Sequence, residues 1–70
     1  MKRDWDLIRL ILQKLEEKTT YGGVVRPDQI EGYDCEFVSY HMDLLNQAGI
    51  IVGNNLSWAG HEFCDRIRSI

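Results

Sequence analysis

Seventy residues with a net charge of −3, 44% hydrophobic and 27% charged, with one Pro and no low-complexity tract, make a single small folded domain and exclude a disordered chain. A chain this short is near the lower limit for independent folding, since about 60 residues bury only about 60% of their unfolded surface, so it needs a well-filled core or the outside support of a disulfide, a metal or a second subunit. No apolar run approaches the roughly 18 residues of a membrane span and the opening is interrupted by Asp4, Asp6 and Arg9, which rules out a secretory signal; the chain reads as soluble and cytoplasmic.

The first element is the strongest. Over residues 4–18, Leu7, Ile8, Ile11, Leu12 and Leu15 recur at helical spacing and define one buried face, which Trp5 extends at its start. Asp4 suits the N-cap, Asp6 the positive end of the helix dipole and Lys18 the negative end. Leu10 points away from the buried stripe. Gly22 and Gly23 end the pattern. Val24–Val25 is a β-branched pair fit for a short bridging strand, and Pro27 then suits the first turn of a short helix closed by Gly32.

Asp34 caps the next helix. Phe37, Val38, His41, Met42, Leu44, Leu45 and Ala48 share one face, and Glu36, Ser39, Tyr40, Asp43 and Gln47 share the other; Gly49 follows where a helix stops. Two β-prone runs, 50–52 and 56–58, flank Gly53, Asn54 and Asn55, residue types that tight hairpin turns require. Ser57 can cap a last helix, on which Phe63, Ile67 and Ile70 fall at i, i+4 and i+7. The expected architecture is α+β, in the order helix, short strand, short helix, helix, β-hairpin, helix. Its expected core is Trp5, Leu7, Ile8, Ile11, Leu12, Leu15, Ile30, Phe37, Val38, Met42, Leu45, Ile50, Leu56, Phe63 and Ile67.

The segment Ser39-x-His41-Met42-x-x-Leu45-x-x-Ala48-Gly49-Ile50-Ile51 resembles the S-x-H-L-x-x-L-x-x-A-G-L-I/V pattern of small ArsR-like bacterial repressors. Leu56-Ser57-x-x-Gly60 resembles the link between wing and final helix in the winged helix-turn-helix superfamily. Met1-Lys2-Arg3-Asp4-x-Asp6-Leu7-Ile8-Arg9, Ile30-Glu31-Gly32-Tyr33, Tyr40-His41 and Trp58-x-Gly60-His61-Glu62-Phe63 together look like a family of small, functionally unassigned proteins of bacterial chromosomes and prophages. The resemblance implies a single winged-helix domain over residues 1–70, a phage-associated setting, and a helical C-terminal extension in many members that has no counterpart in these 70 residues.

In DNA-binding winged helices the second helix of the motif enters the major groove. Here the contact face would be Glu36, Ser39, Tyr40, Asp43 and Gln47, and Lys2, Arg3 and Arg26 are the candidates for phosphate contact. Ser, Gln and carboxylates can read base edges, but affinity for a duplex comes largely from cations and neutral donors on phosphates, and carboxylates at the groove repel it. The same acidic face, centred on Tyr40, suits a host or phage protein with a basic surface. Protein binding is the primary expectation and sequence-specific duplex DNA binding the alternative. Leu10, Ile67 and Ile70 are candidates for a homodimer contact. His41 reads as a satisfied core residue, and Cys35 and Cys64 as small buried or half-buried thiols with no zinc spacing. No phosphate loop, nucleophile elbow or split carboxylate pair is present, so neither an enzyme, a metal site nor a cofactor is expected.

Overall fold

The computed structural model describes residues 2–68. Its order is α1 (Trp5–Glu17), a 3-10 turn (Pro27–Gln29), α2 (Cys35–Gln47), β1 (Ile51–Val52), β2 (Asn55–Leu56) and α3 (Trp58–Arg68). The two strands pair antiparallel with Ile51 opposite Leu56 and Val52 opposite Asn55. This is an α+β domain in which the hairpin packs against all three helices.

The local causes are legible one by one. Asp4 Oδ1 accepts from the N–H groups of Asp6 and Leu7 at 3.0 and 3.2 Å, which starts α1. Leu7, Ile8, Ile11, Leu12 and Leu15 are all buried, each removal from water being worth about 1.5–3 kcal/mol. The carboxylate of Asp34 starts α2 by accepting from Glu36 N–H at 3.2 Å. At the other end, Gly49 N–H reaches Asn46 O and Ile50 N–H reaches Leu45 O, the two bonds of a Schellman stop. The chain leaves that stop directly into β1.

The hairpin turns on two residues, Gly53 and Asn54. Gly53 has φ +63° and Asn54 a negative φ, the signs of the type II′ turn that matches strand twist. Ser57 then serves both neighbours: its N–H extends the ladder to Ile50 O, and its Oγ caps α3 by accepting from Gly60 N–H at 2.9 Å. Gly60 is where α3 meets the hairpin. A Cβ there would overlap the Ile50 carbonyl oxygen and press on Leu56, so only Gly permits the approach.

Several expectations need correction. Trp5 is half exposed rather than core; it lies near-parallel to Phe63 at 6.3 Å with the Arg3 guanidinium 5.4 Å from its ring centre. Residues 24–25 form no strand, for a reason visible in the hairpin: Val25 N–H donates to the side-chain oxygen of Asn54 at 2.6 Å, not to a backbone carbonyl. Asn55 belongs to β2 and not to the turn. Ala48 is exposed, and so is Cys35, in the first turn of α2. Conversely Val25, Ile51 and Cys64, absent from the expected core, are buried in it, and Phe37, Met42, Ile50, Leu56, Phe63 and Ile67 pack around it half-buried.

Candidate interaction face of α2

Helix α2 separates cleanly into two sides. At about 100° per residue, Val38, His41 and Leu45 form its inner stripe, with Glu36, Ser39, Tyr40, Asp43 and Gln47 diametrically opposite. Val38 and His41 are fully buried. His41 is satisfied on both nitrogens: Nδ1–H donates to Phe37 O at 2.9 Å, and Nε2 accepts from Asp4 N–H at 2.9 Å. The neutral Nδ1–H tautomer alone supplies one donor and one acceptor in that order. This histidine ties the start of α1 to the middle of α2, and Phe37 and Tyr40 meet its ring edge-on at 4.5 and 5.6 Å.

The outer stripe is brought together as the sequence implies. Glu36, Ser39, Asp43 and Gln47 are exposed, and Tyr40 is half-buried, its ring anchored against His41. Along this stretch of the chain the charge is one-sided. Residues 26–50 hold five carboxylates, Asp28, Glu31, Asp34, Glu36 and Asp43, against the single cation Arg26, while the remainder of the chain carries six carboxylates and seven cations. All five of those carboxylates are exposed. Arg26, one of the three candidate phosphate contacts, lies 3.6 Å from Asp28 on the 3-10 turn that packs against α2. Arg3 rests over Trp5, and Lys2 is exposed. Tyr33 sits beside the start of α1; partial burial first, then the Asp4 and Asp6 carboxylates, push its phenol pKa up.

The hairpin tip behaves differently. Lys18 Nζ donates to Gly23 O and Asn55 Oδ1 at 2.8 Å each, and to Asn54 O. Asn54 Oδ1 takes Val25 N–H, and on the other flank Gly53 N–H donates to Asn46 Oδ1 at 3.1 Å. The tip is fastened to the end of α1, to the following loop and to the end of α2. Sequence reasoning missed this hub: Lys18 reads as a dipole partner and the two Asn residues as turn formers, and no pattern signals that they meet.

The candidate subunit residues do not form one patch. Leu10 lines a shallow depression with Lys14, Gln29, Ile30 and Glu31, whereas Ile67 lines a separate groove between α1 and α3. Ile70 lies outside the described residues. Cys64 is buried, and burial, then Glu16, pushes its thiol pKa up against an opposing pull from Arg68. Among the described residues no group of three or more His, Cys, Asp or Glu could hold a metal ion, and no helix is long and apolar enough to cross a membrane.

Comparison with known proteins places this geometry in a family without an assigned activity. Residues 2–55 match the family described as "Hypothetical protein (DUF2513)". An "Uncharacterized protein" of Haemophilus influenzae is 44% identical over 82 residues, an alignment that covers 99% of this chain and 70% of that relative. No solved structure matches the chain.

Proposed function

Because the chain belongs to the DUF2513 family, whose description carries no chemistry, we propose its function from the geometry and the sequence resemblance together: a non-enzymatic winged-helix regulatory module that binds a host or phage protein through the acidic outer face of α2. The winged-helix reading is supported by the order helix, helix, hairpin, helix and by the Gly49 and Gly60 joints. The phage-associated setting comes from the sequence resemblance. One observation carries the partner class. The helix that would enter a major groove presents Glu36 and Asp43 on its exposed stripe, and the one cation of residues 26–50, Arg26, is already beside a carboxylate. Phosphates are repelled by such a surface, while a basic protein surface is steered to it. The fastened hairpin tip adds to this, since Asn54 and Asn55 spend their side-chain oxygens inside the molecule.

The test is a pair of titrations over a salt series, one with random-sequence duplex DNA and one with proteins retained from host lysate on the immobilised chain. The expected result is no saturable duplex binding even at low salt, and retention of a basic protein that the variant Glu36→Lys/Asp43→Lys no longer holds. A steep negative slope of log K against log salt for the unaltered chain on duplex would overturn the reading in favour of a DNA-binding regulator. Retention of the same protein by the charge-reversed variant would move the contact to another face.

A further inference from the structure

The groove between α1 and α3 lies apart from the α2 face and has no role in the reading above. It encloses about 490 Å³. Leu12 and the half-buried Ile67 form its apolar floor, Arg9, Gln13 and Glu16 its rim along α1, and Arg68 its rim on α3. Arg68 reaches Glu16 Oε2 at 3.1 Å and Asp65 at 2.8 Å. Arg9, Gln13 and Glu16 are spaced four and three residues apart, so they stand in one row, one helical turn each.

That row reads cation, amide, anion. A two-fold axis passing at Gln13 maps it onto its own complement: Arg9 of one copy faces Glu16 of the other at both ends, and the two Gln13 side chains meet at the centre, where each amide still offers its oxygen and a second N–H beyond the bond it gives to Glu17. A parallel arrangement would set Arg9 against Arg9 and Glu16 against Glu16. From this self-complementarity we infer that a second copy of this chain occupies the groove, its α1 antiparallel to the first, with Ile67 of each copy covered by the other. The internal Arg68–Glu16 bond does not compete. A carboxylate has two oxygens and accepts a second guanidinium on the one that Arg68 leaves. The contact excludes Leu10, which stands on the opposite flank of α1.

The charge order supplies its own test by sedimentation equilibrium. The unaltered chain is expected to dimerise reversibly at high micromolar concentration. Arg9→Glu places like charges at both ends of the row, as does Glu16→Arg, so each variant alone should self-associate roughly tenfold or more weakly. An equimolar mixture of the two restores opposite charges at both ends, Glu against Arg and Glu against Arg, and should recover dimer of the original strength as the mixed species. Glu16→Arg also gives up the Arg68–Glu16 pair, so the far-UV circular dichroism and urea midpoint of each variant are what separate loss of association from loss of fold. The inference is overturned by an unaltered chain that stays monomeric through that range, by either variant associating as tightly as the original, or by a mixture no tighter than its components.

Discussion

The hairpin tip and the outer face of α2 are the two places where a groove-reading domain would touch DNA, and this molecule treats them in opposite ways. At the tip, Asn54 and Asn55 accept hydrogen bonds from Val25 N–H and the Lys18 ammonium, so polar residues that look available in the sequence are consumed by the fold. On α2, Glu36, Ser39, Asp43 and Gln47 remain at the surface, and the core-facing polar residue, His41, is satisfied on both nitrogens. Polarity in the first region stabilises the domain. In the second it is left at the surface.

If the hairpin is structural in this sense, the largest effect comes from its base. Gly60→Ala inserts a Cβ into the Ile50 carbonyl oxygen, and α3 must retreat from Ile50 and Leu56, drawing its buried Cys64 out of the core. Overpacking of this kind costs about 3 kcal/mol, a large share of a small domain's stability, and should appear as a strong fall in the urea midpoint. The tip is the next test. Lys18→Met keeps the aliphatic stem but leaves Gly23 O, Asn54 O and Asn55 Oδ1 without their donor, a loss of about 2 kcal/mol. Amide exchange at Val25 should quicken with it as the tip loosens. Unchanged exchange and midpoint would mean that the tip is a free wing after all, and the contrast with α2 would collapse. For the face itself the expected stability change is small. Glu36→Lys/Asp43→Lys should cost about 1 kcal/mol, most of it from setting a cation in the first turn of α2, while abolishing partner retention.

The same contrast explains what the sequence discloses. All three helices, their Asp4, Asp34 and Ser57 caps, the Gly49 stop and the split of α2 into two sides follow from local pattern, because each is decided by residues within one or two turns of each other. Val25, Ile51 and Lys18 are decided elsewhere. The Val24–Val25 pair has strand propensity, but a strand needs a partner backbone, and Asn54 offers a side-chain oxygen in its place. Trp5 fits the α1 stripe at its very end, where the helix has already left the core and the ring finds Phe63 and Arg3 in place of the interior. Leu10 and Ile67, both candidates for a subunit contact in the sequence, turn out to border different grooves, which only the path of α3 determines.

The smallest effect is a pH dependence that belongs to the scaffold and not to the acidic face. Cys64 packs into the core from the inner side of α3, and burial, reinforced by Glu16 and Asp65 and opposed by Arg68, holds its thiol protonated beyond the ordinary value of 9.0. In the unfolded chain the thiol ionises near that ordinary value. Between the two pKa values unfolding therefore releases a proton, so the stability it contributes is fully present below pH 9.0 and is lost as pH rises through the folded value. Tyr33, raised from 10.0 by partial burial and then by Asp4 and Asp6, acts in the same direction at higher pH. The urea midpoint should decline on the alkaline side, and in Cys64→Ala that decline should begin later, leaving the Tyr33 component. A decline that starts at the same pH in both chains would show that the thiol titrates alike folded and unfolded, and that α3 seals the core less tightly than its contact at Gly60 implies.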